Sequence, residues 1–389
     1  MYQIKTLNKI AKIGLDQLPA DTYTVSDAAA SPEGVLVRSA DMLSAELPES
    51  LLSIARAGAG TNNIPIDRCS EAGIVVFNTP GANANAVKEL TICALLLASR
   101  GVAAGNKWLD GQAAQGTDVT TVIEKGKSQF VGPELQGKTL GVIGLGAIGV
   151  QVANIATKLG MNVVGYDPFL SVNAALSLSR AVRWAKDLET VWQESDYITL
   201  HLPQNEHTTG IVGADAIAAM KDGVRIVNLA RGGLVDKAAM IPALESGKVA
   251  AYVTDFPDND LLKLPNVTGL PHLGASTPES EDNCAVMAAR QLADYLENGN
   301  IVNSVNLPAV ELPWSGTTRL CILHRNSPGI IAGITSALSQ EKVNVENMVN
   351  KSKGDYAYTI VDVNAAVSPE AVAHISGLEN ILRVRVLTR

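Results

Sequence analysis

Between residues 139 and 257 five strand-like runs recur at helix-length intervals: "TLGVIGLGAIG" (139–149), "NVVGYDP" (162–168), "YITLHLP" (197–203), "RIVNLARGG" (225–233) and "VAAYVTDFP" (249–257). Parallel neighbours need a crossover of about a dozen residues or more, which such intervals supply as helices. A doubly wound parallel sheet is the simplest fold for this series.

Upstream, "GVLVRSA", "LLSIARAGAG" and "GIVVFNTPG" read as a shorter parallel α/β series over residues 1–80. Residues 85–100 predict a helix with Asn85 as its N-cap, followed by a looser, polar segment to 137. Downstream of the Pro-rich "NLPAVELPWSG" (306–316) the order is strand, helix, strand, strand, helix from Ser368, strand. That βαββαβ order predicts a small separate domain with a mostly antiparallel sheet.

A chain of 389 residues exceeds one ordinary core, and 47% apolar with 18% charged residues describes a globular protein. Cys69, Cys93, Cys284 and Cys321 lie far apart, which argues against a disulfide framework or structural zinc and predicts a reducing cytoplasm. The N-terminus lacks the apolar core of a secretory signal, and "ALLLA" (94–98) is far short of a membrane span. The net charge of −8 disfavours nucleic acid and anionic lipid. It leaves room for an anionic substrate, because charges separated by more than about 8 Å are screened at physiological salt.

The run "GVIGLGAIG" sets Gly144, Gly146 and Gly149 in a G-x-G-x-x-G string, with Ala147 and Ile148 opening the following helix. Alone, the string could be an ordinary strand-to-helix turn. Here it follows an apolar strand, opens a helix, and precedes a second strand ending at Asp167. That acid stands close to the ~20-residue spacing of an acid on the adenosine ribose. An anionic Asp167 repels a 2′-phosphate, so NAD is expected over NADP.

Of five histidines, His272 in "LPHLGAST" lies in a Gly/Pro-bounded loop after the last strand of this series. Arg231 in "NLARGG" ends another strand, where a guanidinium can grip a carboxylate in bidentate fashion.

In this order "LGVIGLGAIG", "YDP", "LHLP", "NLARGGLVD" and "PHLGAST" resemble the D-isomer-specific 2-hydroxyacid dehydrogenases over residues 35 to 303. The resemblance implies a Rossmann cofactor domain (89–275) and a flavodoxin-like substrate domain (1–88, completed by 276–303). It makes His272 the acid/base and Arg231 the carboxylate clamp, with Pro203 beside the cofactor.

"VLVRSA", "RAGAGTNN" and "NTPGANANAVKELTI" are similar to the family members that oxidise 3-phospho-D-glycerate. This similarity gives the substrate anion to Arg38, Ser39, Arg56 and the Gly58 region. After a linker at 304–316, residues 317–389 resemble a ferredoxin-like ACT domain. His324, Asn326 and Asn344 would there meet an effector, L-serine, although Lys342 stands where many relatives have Gly. Relatives of this kind form homodimers or homotetramers. The rival expectations are another D-2-hydroxyacid dehydrogenase (2-hydroxyglutarate, hydroxypyruvate or D-lactate) and a non-catalytic NAD-sensing, corepressor-like protein.

The stretch "VTDFPDND" holds Asp255, Asp258 and Asp260. Three acids could make a metal loop, a solvated turn or half of an acid/base pair. Ligands and glycine for a calcium loop are missing, and no metal is expected. Relatives place a glutamate here as the partner of the histidine, and this chain has none. Ungapped counting from Arg231 favours Asp260 as the catalytic partner of His272, with Asp258 second. The resemblance leaves Asp255 to the nicotinamide carboxamide.

Overall fold

The computed structural model describes residues 1–389, which divide into two compact units. One comprises Met1–Ala82 with Glu281–Arg389, and the other Asn83–Ser280.

The second unit holds a seven-stranded sheet. Its strands are β6 (Thr139–Ile143), β7 (Asn162–Tyr166), β8 (Val182–Trp184), β9 (Tyr197–Leu200), β10 (Val224–Asn228), β11 (Val249–Thr254) and β12 (Val267–Gly269). The order is β12-β11-β10-β9-β6-β7-β8, and every pairing is parallel. This is the Rossmann order with one added strand, and its direction reverses between β6 and β9. The expected doubly wound sheet is present.

Apolar side chains cover both faces. Leu140, Val142, Val163 and Val253 pack against Ala94, Leu95 and Ala98 of the helix Ala84–Ser99 and against Val152, Ala153 and Ala156 of the helix Ala147–Lys158. Ile143, Ile198, Ile226 and Tyr252 face Trp192, Ile217 and Met240 on the other side. In the first of these helices Asn83 holds the N-cap position without a side-chain capping bond, whereas Asn85 lies inside the helix and bonds Glu89.

The first unit holds two sheets. Its N-terminal strands are β1 (Tyr2–Leu7), β2 (Tyr23–Ser26), β3 (Gly34–Val37), β4 (Ser53–Arg56) and β5 (Val75–Phe77), all parallel in the order β2-β1-β3-β4-β5. That is the flavodoxin-like order. The helix Pro278–Asn298 buries Cys284, Ala285, Ala288, Ala289, Leu292, Tyr295 and Leu296 at helical spacing in the core under this sheet.

β13 (Thr318–Arg325), β14 (Val345–Lys353), β15 (Tyr356–Val363) and β16 (Ile381–Thr388) make an antiparallel sheet in the order β14-β15-β13-β16. With its two helices it is the expected βαββαβ module. Alternation along β13 sends Leu320 and Ile322 to the module's own helices, and Cys321 and Leu323 into the core around Tyr295 and Phe77.

A wholly buried ion pair fixes this packing. Arg319 grips Asp362 with Nε to Oδ1 at 2.6 Å and Nη2 to Oδ2 at 2.7 Å. Arg319 also donates to the carbonyls of Asn298 and Leu312, and Asp362 accepts from the Ser315 amide. The segment leading into the module is thereby tied at both partners of the pair.

Candidate active site

In the parallel sheet of the second unit, the turn after β6 carries the glycines. Gly144 has φ +91°, and a Cβ there would lie 2.5 Å from the His201 carbonyl oxygen. A Cβ on Gly149 would lie 1.9 Å from the Gly144 oxygen, whereas one on Gly146 would meet nothing within 4 Å. Two of the glycines permit close packing, and the third leaves open space at the helix N-terminus formed by Ala147 and Ile148. That end carries unpaired N–H groups suited to phosphate.

Asp167 stands at the end of β7, with Oδ2 accepting from the Leu145 amide at 2.9 Å and Oδ1 from Phe169 at 2.8 Å. Its carboxylate is therefore fixed beside the glycine turn. Pro203 follows β9, and its carbonyl accepts from Thr208 Oγ1 at 2.7 Å.

Arg231 lies just past β10. Wholly buried Asn228 shapes this turn, donating from Nδ2 to the Arg231 carbonyl at 2.9 Å and accepting from the Ala230 amide at 3.2 Å. The exposed Arg231 guanidinium has one internal bond, Nη1 to the Ala230 carbonyl. Most of its five donors are left for a ligand. Asn228 was missed by sequence reading, although an amide at a strand end before Arg-Gly-Gly is a legible turn signal.

The histidines separate by environment. Burial pushes the His201 imidazole down to about 4, so it is neutral at pH 7. His324 is 2% exposed and has both ring nitrogens engaged, by the Arg325 carbonyl and Thr359 Oγ1. His207 is fully solvated beside Glu206, and His374 is exposed on a C-terminal helix. His272 lies on the segment after β12 with its ring packed on Phe256, centroids 4.8 Å apart at 59°.

The three aspartates part company. Asp258 caps the Asp260 and Leu261 amides and pairs with Lys237 at 2.6 Å. Asp260 pairs with Lys237 at 2.7 Å and Lys263 at 2.9 Å, and these bonds hold its carboxyl down at about 2. Both are lysine-paired groups at the surface, and no bond joins either to His272. Asp255, 4% exposed at the end of β11, has no hydrogen-bond partner on either oxygen. Burial pushes its carboxyl up, while His272 and Arg231 pull it back.

In the other unit, Arg38 follows β3 and pairs with Glu281 at 2.6 Å. Ser39 and Ala40 donate their amides to Asn8 Oδ1 at 3.0 and 2.6 Å. Arg56 ends β4, donates Nε to the Arg38 carbonyl at 2.9 Å and Nη1 to the Gly60 carbonyl, and so braces this loop. The Gly58 amide closes a tight turn onto the Arg56 carbonyl. Asn8 and Glu281 were not singled out by sequence reading, because their partners lie tens to hundreds of residues away.

In the C-terminal module Asn326 donates to the Gly354 carbonyl and Asn344 to Glu346, both at exposed positions. Lys342 has φ +56°, the left-handed backbone that glycine adopts without strain.

Residues 92–274 match the NAD-binding domain of the D-isomer specific 2-hydroxyacid dehydrogenases. The D-3-phosphoglycerate dehydrogenase of Escherichia coli is 33% identical over 352 residues, covering 87% of this chain and 82% of that protein. The chain belongs to the D-isomer specific 2-hydroxyacid dehydrogenase family.

The enzyme of the same name from Archaeoglobus fulgidus is 38% identical over 292 residues, which are 72% of this chain and 52% of that one. The chain thus spans about half the length of this relative, and of a similar one from Methanocaldococcus jannaschii at 50%. An NAD+-bound 3-phosphoglycerate dehydrogenase structure from Entamoeba histolytica superposes with a TM-score of 0.61 at 28% identity, over 78% of this chain and 98% of that one. NAD is the cofactor of this family domain, and the open turn at Gly146 with the fixed Asp167 fits it. No helix is long and apolar enough to cross a membrane.

Proposed function

We propose that the chain oxidises 3-phospho-D-glycerate to 3-phosphohydroxypyruvate with NAD, opening the phosphorylated route to L-serine. The observation that supports this reading is that Arg231 and His272, which follow β10 and β12 of the sheet that carries the glycine turn, both draw down the carboxyl of the buried Asp255 at the end of β11. Ligands of open α/β sheets collect at such strand ends.

In the proposed reaction Arg231 binds the substrate carboxylate and polarises the C2 oxygen. His272 accepts the C2 hydroxyl proton on a ring nitrogen. The bound cofactor supplies a hydride acceptor for the C2 hydrogen. Arg38, with Ser39 and the Arg56-braced loop through Gly58, supplies positive charge and amides for the phosphate. Gly144, Gly146, Ala147, Ile148 and Gly149 take the pyrophosphate, Asp167 the ribose, and Pro203 lies against the cofactor.

L-serine as effector and a homodimer or homotetramer complete the reading, in a reducing cytoplasm. Exposed Asn326 and Asn344 offer amide groups to an amino acid, which buried His324 does not.

The test is His272→Asn: kcat falls about 10²–10⁴-fold with NADH affinity unchanged, since a positioned acid/base contributes that much. Near-normal turnover in that variant would remove His272 from the reaction.

A further inference from the structure

We propose that Asp255, in place of the glutamate that relatives use and instead of Asp258 or Asp260, is the carboxylate that positions His272. The inference deepens the functional reading above and rests on it. Its ground is a buried acid with nothing to bond.

Asp255 is 4% exposed, and neither carboxylate oxygen has a hydrogen-bond partner. Buried polar groups are almost always paired, so an orphan carboxylate at a strand end asks for a partner that arrives during function. One ring contact, one close approach and one electrostatic relation show where that partner lies. The next residue, Phe256, packs its ring on the His272 imidazole. A Cβ added to Gly274 would sit 3.9 Å from Asp255 Oδ2, so the carboxylate lies under the loop that carries His272. The groups whose charge reaches Asp255 are His272 from that loop and Arg231 from the turn after β10. Tyr252 on β11 feels Asp255 in turn, and apolar Val87 of the helix Ala84–Ser99 is the nearest side chain to a Cβ added at Gly274.

The rival acids are already engaged. Asp258 is occupied by two backbone amides and Lys237, and Asp260 by two lysines. Freeing either would break exposed ion pairs and still leave the buried carboxylate orphaned. Sequence spacing favoured Asp260 because ungapped counting matches loop lengths, whereas the acid here sits at the strand end itself.

Chemically, an ionised Asp255 accepts one imidazole N–H and fixes the tautomer. The other ring nitrogen then has its lone pair free for the C2 hydroxyl proton. When that proton arrives, the imidazolium is held between substrate and carboxylate, and Asp255 stays ionised throughout. Hydrogen bonds of this kind tighten in the substrate complex.

Asp255→Asn keeps the shape and removes the charge. In this variant kcat falls about 10²-fold, as for a misplaced catalytic group, and the acid limb of the pH–rate profile for alcohol oxidation moves to lower pH. NADH affinity stays within about twofold. A role at the nicotinamide carboxamide would instead weaken NADH and leave the pH limb in place, which overturns the proposal. A shifted limb in Asp260→Asn with an unshifted one in Asp255→Asn overturns it equally. A second measurement needs no substrate: ¹⁵N spectra of labelled histidine, with the His272 signals assigned by His272→Asn. The ratio of its two neutral tautomers changes in Asp255→Asn, and an unchanged ratio contradicts the pairing. Absence of oxo-acid turnover by the unaltered protein would sink the functional reading while the ¹⁵N comparison still decides this one.

Discussion

Glu281 Oε1 lies 2.6 Å from Arg38 Nη2, so the arginine assigned to the substrate phosphate already holds a carboxylate. Both side chains are about two-fifths exposed, so the pair is weak and a dianionic phosphate competes with it. Glu281→Gln should lower KM for phosphohydroxypyruvate about two- to fivefold, the range of an exposed ion pair. Steady-state kinetics checks this, and a raised KM would mean that Glu281 orients Arg38 rather than competing for it.

Asp167 accepts two backbone amides and is fixed in place before any ligand arrives. Asp167→Ala should weaken NAD about tenfold, in line with a charge-assisted hydrogen bond of roughly 1.5–3 kcal/mol. It should also raise the NADP/NAD ratio of kcat/KM. An unaltered cofactor ratio would contradict the ribose contact.

Arg319 and Asp362 are both fully buried, with bidentate geometry and added backbone bonds. Asp362→Asn leaves a buried guanidinium without its counter-charge and should cost about 3–5 kcal/mol. Denaturant unfolding of the Met1–Ala82 and Glu281–Arg389 unit is the measurement. The double replacement Arg319→Met with Asp362→Leu should recover most of that loss.

The raised carboxyl of Asp255 makes a stability prediction with a definite sign. Burial favours the neutral acid in the folded state, so Asp255 costs stability increasingly as pH rises through its elevated pKa. Asp255→Asn should therefore have a higher Tm than the unaltered protein at pH 7. The two should converge below about pH 4, where the carboxyl is protonated in folded and unfolded chains alike. Equal Tm at pH 7 would mean that Arg231 and His272 fully offset the burial.

Sequence pattern and structure agree where one residue type dictates one geometry. The strands β6 to β11 are apolar runs with turn residues at their ends, and Gly144 and Gly149 are required by a positive φ and by contacts too close for a Cβ. The helices Val102–Ala114 and Val119–Gly126 escaped notice inside the segment read as loose. The first buries no side chain and includes Gly105 and Gly111, so it carries no apolar stripe to read. His324 read as a ligand-edge residue, but alternation along β13 turns its ring inward to Thr359. Among the three aspartates, spacing along the chain could rank them but could not show that only Asp255 is buried. That distinction depends on where the strand stops and on which lysines stand nearby.

The reading that most needs a test is that this family member acts on a phosphorylated D-2-hydroxy acid. It is tested most directly by kcat/KM for NADH-dependent reduction of phosphohydroxypyruvate beside hydroxypyruvate, 2-oxoglutarate and pyruvate, each with and without L-serine. Phosphohydroxypyruvate should exceed every other oxo acid by at least about 10²-fold, the ~3 kcal/mol expected from charge-assisted bonds to the phosphate. Equal or better turnover of an unphosphorylated oxo acid would contradict it.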